Sequence, residues 1–330
     1  MDQQTATQAP DAMDRFRRWA AIAVGLATLG WVAYALFRGF DETASELRGF
    51  RWSLYIPALA LTLVNYGLRY LKWHYLLRQL DVFIAHRHNL WIFGSGLAMV
   101  ISPAKAGEVV KPYLVRTIHG APMARTVPAL VAERMTDGIA VIILAAVGVT
   151  TYAAEASSLI WGTLGGIAVA LMVLSIEPLA RGAIRLIGQV PLLEGVARRL
   201  DEAYTATRTV LAPVPLLVTV LLSLVAWFAE CVGTWLIFQG LALDASLDLS
   251  TFLYAFSTVF GAPSPGGLGM SDVALAEGTL NLVAGATSGQ ALAGALLVRV
   301  ATLWLGVILG AIALLRIDRV IRSAAEVHSN

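Results

Sequence analysis

Apolar residues run along this chain in blocks of the length a helix needs to cross a bilayer, about 20 residues. Such windows fall at 19–37, 53–77, 127–152, 158–176, 214–239 and 289–315, and they predict an all-α polytopic membrane protein with about six full transmembrane helices. Two further apolar segments are interrupted. Segment 89–118 breaks at Ser102-Pro103-Ala104-Lys105-Ala106-Gly107, and segment 249–285 breaks at Ala262-Pro263-Ser264-Pro265-Gly266-Gly267-Leu268-Gly269. The dozen or so apolar residues ahead of each break would rise about 18 Å as a helix, only partway through the hydrocarbon core.

The placement of basic residues decides whether the broken segments cross or turn back. Arg15, Arg17 and Arg18 put the N-terminus in the cytoplasm, Arg181, Arg185, Arg198, Arg199 and Arg208 put the 177–212 connection there, and Arg316, Arg319 and Arg322 do so for the C-terminus. Connections 153–157 and 240–248 carry no Lys or Arg and belong outside, while 38–52 carries charges of both signs. With these anchors, segment 89–118 enters and leaves on the cytoplasmic side and segment 249–285 enters and leaves from outside. Both are predicted re-entrant helical hairpins, inserted from opposite faces.

The two breaks are related by sequence. Trp73 to Gly107 recurs 162 positions later as Trp235 to Gly269, with Ser102-Pro103 falling on Ser264-Pro265 without a gap. The leading helices of the two units run in opposite directions, so the repeat is predicted to be inverted. Paired Gly/Pro interruptions in repeated halves are how transporters build a site near the bilayer midplane. The expected organisation is a disordered cytoplasmic tail at 1–14, a first transmembrane helix at 15–38, a first half at 39–176, a cytoplasmic amphipathic linker at 177–212, a second half at 213–316 and a cytoplasmic tail at 317–330.

Composition agrees with the membrane class. The chain of 330 residues is 58% hydrophobic and 14% charged, with a mean hydropathy of +0.71, outside the range of soluble domains. A net charge of +2 carries no nucleic-acid footprint. The single cysteine, Cys231, excludes a disulfide framework and supplies no metal-ligand spacing, so no metal or cofactor is expected.

At Ser102-Pro103-Ala104-Lys105-Ala106-Gly107-Glu108-Val109-Val110-Lys111 and at Pro263-Ser264-Pro265-Gly266-Gly267-Leu268-Gly269, the chain resembles the transmembrane region of lysylphosphatidylglycerol synthases, a flippase-like family. Glu133-Arg134-Met135-Thr136-Asp137 and Leu68-Arg69-Tyr70-Leu71-Lys72-Trp73 are also similar to that family, so the likeness extends from about 20 to 316. The resemblance implies the lipid-translocating part. It leaves no room for the cytosolic aminoacyl-transfer domain, and transferase activity is not expected. Lys105 stands where the family usually has arginine, and Asp272 where it often has glutamate, which bears on the headgroup recognised. Stand-alone members are also associated with envelope glycolipid and polyprenyl-linked pathways.

Ionisable groups inside a membrane cost at least about 2.5 to 3.5 kcal/mol each on insertion scales and ask for a partner or a wet cavity. Arg69, Lys72, Lys105, Glu108, Arg134 and Asp137 in the first half, with Glu230, Asp272 and Arg299 in the second, are candidates to line a polar groove for a lipid headgroup. Ser102, Gly107, Ser264, Gly266, Gly267 and Gly269 shape the breaks, and helix N-termini near Ala104 and Gly266 are expected to offer free N–H groups to a phosphate. Structural ion pairing, for example Arg134 with Glu108 or Asp137, is the competing account of the same charges. Arg69 and Lys72 have a further escape, by snorkelling to the interface.

The expected function is thus translocation of a phospholipid, aminoacyl-phospholipid or polyprenyl-phosphate-linked lipid in a bacterial or archaeal cytoplasmic membrane. An enzyme or accessory subunit of envelope glycolipid synthesis is the alternative, with Glu133 and Asp137 one turn apart as a metal-ligand or base pair. Expected partners are the lipid itself, envelope lipid-modifying enzymes and a second copy of the chain.

Overall fold

The structure is a computed structural model that describes residues 40–102, 107–152 and 194–329, with Gly162 and Gly166. The expected first helix at 15–38, the tail at 1–14, the apolar window 158–176 apart from those two glycines, the linker up to 193 and Pro103 to Ala106, which include Lys105, lie outside the described residues.

Among the described residues every regular element is helical. A short helix, α1 (Phe40–Gly49), occupies what the charges mark as the ambiguous 38–52 connection. Asp41 and Glu42 in its first turn and Arg48 in its last complement the helix dipole. Then come α2 (Tyr55–Gln79), α3 (His86–Ala98), the first break, α4 (Val110–His119) and α5 (Met123–Tyr152). Beyond α6 (Glu194–Val210), the long apolar α7 (Pro213–Gly240) begins on a proline, which the first turn tolerates because it lacks the N–H that would be orphaned there. Ser246 caps α8 (Leu247–Phe260), the second break carries a 3-10 turn at Pro265–Gly267, and α9 (Met270–Leu282) comes after it. Thr287 and Gln290 form a capping box for α10 (Ser288–Arg299), which passes through a π-helical turn, Val300–Trp304, into α11 (Leu305–Ser329). That last helix continues well past residue 316, where a tail is expected.

The breaks predicted at 102–107 and 262–269 are present, and the halves repeat in their backbone geometry. Ser102 and Ser264 each donate from Oγ to the carbonyl three residues back, Met99 and Gly261, at 2.7 and 2.9 Å. The turns after α2 and α7 also match. The N–H of Val82 bonds to Leu77 O and that of Leu243 to Phe238 O, and Asp81 and Ala242 take left-handed φ of 55° and 56°.

These turns are 161 residues apart, not 162, because α8 has 14 residues against 13 in α3. The structural counterpart of Trp73 is therefore Thr234 rather than Trp235. Trp73 and Thr234 are fully buried whereas Trp235 is half-buried. The 162 register holds at the breaks themselves.

Packing interlocks the halves. α2 lies along α7, its own counterpart, while α3 packs on α11 and α8 on α5. The last two contacts exchange into one another when the halves are swapped. Gly310 allows α11 to approach α3 closely, since a Cβ there would overlap the backbone of Ala98.

Candidate functional site

Helical spacing sets up the first-half cluster. Arg69 and Lys72 are three apart on α2, and Glu133 and Asp137 four apart on α5, so each pair shares one face. Lys72, with no exposed surface, donates from Nζ to Asp137 Oδ1 at 2.5 Å, Ser223 Oγ at 2.7 Å, Glu133 O at 3.1 Å and Thr136 Oγ1 at 3.3 Å. Arg69 lies 3.6 Å from Asp137 through Nε and 3.9 Å from Glu133 through Nη2. Burial of both overturns the snorkelling account of these two cations.

Arg134 reaches three carboxylates, Glu133 at 2.5 Å, Asp137 at 3.2 Å and Glu108 at 3.4 Å. Lys111 pairs with Glu133 and lies 3.9 Å from Glu108, with its ammonium 4.5 Å from the Trp73 ring centre and 5.5 Å from that of Phe93. The Lys111 stem runs over Gly96, where a Cβ would come within 2.9 Å of it. Four cations (Arg69, Lys72, Lys111, Arg134) face three carboxylates (Glu108, Glu133, Asp137), a net charge of 4 − 3 = +1. Buried charges of this kind are tolerated only when each is paired and hydrogen-bonded, and removal of one partner strands the other.

The second half is sparser. Arg299 donates from Nε to Asp272 Oδ1 at 2.6 Å, and from Nη1 and Nη2 to the carbonyls of Gly266 and Gly267 at 3.1 and 3.3 Å. Asp272 also accepts the Gly269 N–H at 2.9 Å, capping α9. Glycine is required along this loop because Gly266, Gly267 and Gly269 have φ of 61°, 76° and 79°. Glu230, on α7, accepts a hydrogen bond from Thr62 Oγ1 at 3.0 Å.

These observations revise the expected role of the helix ends. The second break turns the Gly266 and Gly267 carbonyls toward its charged side chain, and the Gly269 N–H at the start of α9 is taken up by Asp272. At the first break, Gly107 N donates to Ser102 Oγ at 2.7 Å, so both residues close the loop on itself. Ser264 acts likewise within its own turn.

A cavity of about 390 Å³ lies between the halves. Arg69, Arg134 and Asp137 line it from the first half, and Glu230, Asp272, Arg299 and the Gly266–Gly267 peptide from the second. Lys72, Glu108, Ser102, Gly107, Ser264 and Gly269 are not on its wall. Trp227 and Tyr254, which the charge reading does not reach, complete the lining beside Arg69, whose guanidinium sits 5.9 Å from the Trp227 ring centre. Lys111 and Glu133 also lie outside the groove expected from the sequence. Their signal is present there, as a lysine and a glutamate within otherwise apolar segments. The Glu133 and Asp137 carboxylates are enclosed by four cations, a setting in which a divalent metal would meet positive neighbours.

Such a fold and site define the class as an all-helical membrane protein whose two halves enclose a charged cavity. Helix α7 and the continuous stretch Ser288–Ile317 are long and apolar enough to cross a bilayer. The chain belongs to the family described as the lysylphosphatidylglycerol synthase TM region, whose profile matches residues 18–310. It is also similar to a UPF0104 membrane protein of Methanothermobacter thermautotrophicus, 24% identical over 322 residues, covering 91% of this chain and 93% of the relative.

Proposed function

We propose that the chain is a lipid translocase of the cytoplasmic membrane. It moves a phospholipid, aminoacyl-phospholipid or polyprenyl-phosphate-linked lipid between leaflets, with the headgroup in the cavity and the hydrocarbon chains in the bilayer. The observation that carries this reading is that one cavity collects charged side chains from both halves and the backbone of the second break. A structural ion-pair network would need no open space beside it, whereas here guanidinium groups of Arg69, Arg134 and Arg299 reach the wall. The excess positive charge behind Arg134 favours an anionic headgroup such as a phosphate.

In this reading six helices cross the membrane, both termini are cytoplasmic, and α3–α4 and α8–α9 are re-entrant hairpins entering from opposite faces. The inverted halves then supply two states of similar energy that open the cavity to one leaflet or the other. The family membership supports the translocating role rather than aminoacyl transfer.

The test is leaflet exchange of fluorescent lipids in liposomes holding the purified chain. Aminoacyl-phosphatidylglycerol, phosphatidylglycerol and a polyprenyl phosphate are compared, with Arg299→Ala as control. Exchange of one class that depends on Arg299 is the expected result. Absence of exchange for all three would move the assignment to an enzyme subunit of envelope glycolipid synthesis.

A further inference from the structure

The stretch Ser288–Ile317 is apolar throughout, yet its backbone leaves α geometry at Val300–Trp304, where the Leu305 N–H reaches back five residues to Val300 O. The turn contains neither proline nor glycine, and Thr302 within it donates from Oγ1 to Val298 O, four residues back, at 2.9 Å. A second contact reaches the turn from α2. Tyr66, 8% exposed, donates its hydroxyl to Thr302 O at 2.7 Å, a carbonyl within the distorted turn. The ring rests against Gly306, where a Cβ would come within 2.6 Å of that hydroxyl.

The two ends of this helix hold different things. Immediately before the turn, Arg299 grips Asp272 and the Gly266 and Gly267 carbonyls of the second break. After the turn, α11 packs on α3, with Gly310 against the Ala98 backbone and Gly94 against Ala313. α3 is the arm that leads into the first break. One extra residue in a turn rotates the helix on its N-terminal side by about 100° relative to the helix on its C-terminal side. The π turn therefore sets the direction in which Arg299 points from a helix seated on the other half's hairpin.

We propose that Tyr66 is a positioning residue for Arg299, and that the π turn it holds couples the second break to the first. A displacement of α3 at the first break is carried by α11 through the turn to Arg299, and from there to the Gly266–Gly267 peptide. The coupling would supply the moving part of the translocation reading but does not depend on it, since no lipid enters the argument.

The experiment reads the second break directly. A thiol is placed in it by Ala262→Cys in a Cys231→Ser background, and its rate of reaction with an aqueous maleimide is measured on purified protein in nanodiscs. Gly94→Ala perturbs the first half, because its Cβ would lie 2.7 Å from that of Ala313. The expected result is a change in rate at position 262 of about threefold or more, reversed by adding Ala313→Gly and abolished by adding Tyr66→Phe. An unchanged rate in Gly94→Ala, or a change that survives Tyr66→Phe in full, overturns the proposal. If Gly94→Ala yields no monodisperse protein, Tyr66→Phe alone decides: the rate at 262 changes if Tyr66 positions Arg299, and stays constant if it does not. Lipid exchange is measured in parallel, so a chain that moves no lipid still tests the coupling.

Discussion

Arg134 and Arg299 occupy the same place in their two halves. Each stands eleven residues after the start of its helix, 134 − 123 in α5 and 299 − 288 in α10, and each helix is preceded three residues earlier by a glycine with φ of 71°. Each also reaches a carboxylate on the far side of its break, Glu108 at 3.4 Å and Asp272 at 2.6 Å. The offset between the arginines is 165, three more than at the breaks, because Gly269 to Gly285 spans 16 positions where Gly107 to Gly120 spans 13. An arginine from the following helix thus latches each break, and both latches face one cavity.

Loss of either latch is expected to stop translocation without preventing insertion. Arg299→Ala and Arg134→Ala should both reduce lipid exchange to the level of empty liposomes while the proteins remain monodisperse in detergent. Arg299→Lys should fall between, since a single ammonium cannot serve Asp272 and two carbonyls in the planar arrangement seen. Normal exchange in both alanine variants would remove the cavity assignment.

The buried pairs predict non-additive stability. Lys72→Met strands Asp137 on one side and is expected to cost about 3 to 5 kcal/mol. Asp137→Asn is expected to cost more, because Lys72, Arg69 and Arg134 all lose a partner. The double variant should be less destabilised than the sum of the two, with a coupling of about 1 to 3 kcal/mol by denaturant titration. Simple additivity would mean that the contact is energetically idle.

Helix contacts supply a paired comparison. Gly310→Ala pushes a methyl into the Ala98 backbone and should cost about 1 to 3 kcal/mol. Gly233→Ala, where the new Cβ would meet Ala58 O at 3.6 Å, should be nearly neutral. Thermal unfolding of the two variants side by side checks the α3–α11 and α2–α7 interfaces separately.

At the second break, Gly267→Ala should do more damage than Gly266→Ala. Both force an L side chain into left-handed φ, at roughly 1 kcal/mol. At 267 the Cβ would also crowd Ser271 Oγ, at 2.8 Å, and approach Arg299 Nη1, at 3.4 Å, whereas at 266 it would meet the Ile101 backbone at 3.3 Å without touching the latch. Exchange rate and thermal stability should both rank the wild type, Gly266→Ala and Gly267→Ala in that order.

Topology is tested by labelling. Ser102→Cys and Ser264→Cys in a Cys231→Ser background should react with membrane-impermeant thiol reagents from opposite faces of oriented vesicles. Labelling of both from a single face would end the inverted-hairpin arrangement.

Helices α2, α5, α7 and the α10–α11 stretch are legible in the sequence as long apolar blocks, and the breaks as Ser-Pro and Gly clusters, because hydrocarbon imposes helix and those residues interrupt it. Helix α1 is not legible, since charges of both signs over ten residues resemble a loop as much as a short helix. The one-residue slip that separates Trp73 from Trp235 is hidden because an ungapped match at the breaks outweighs a register difference inside a helix. Of the site, the identities of most charges are legible but their partners are not. Lys111 illustrates why: one lysine at the start of α4 gives no sign that Glu133, 22 residues on, will meet it, since that depends on how α4 and α5 pack.

The Lys72 ammonium carries a consequence for biogenesis. Its partners come from two helices made at different times, with Asp137 arriving 65 residues after it and Ser223 a further 86 after that. Until α5 is synthesised the ammonium has no carboxylate, and until α7 is made it lacks the Ser223 hydroxyl. In the proposed topology, where α2 crosses the bilayer, the unpaired ammonium would cost about 2.5 to 3.5 kcal/mol until those partners arrive. The second half is in this sense a condition for finishing the first, and the two halves could not be traded as independent modules despite their common plan.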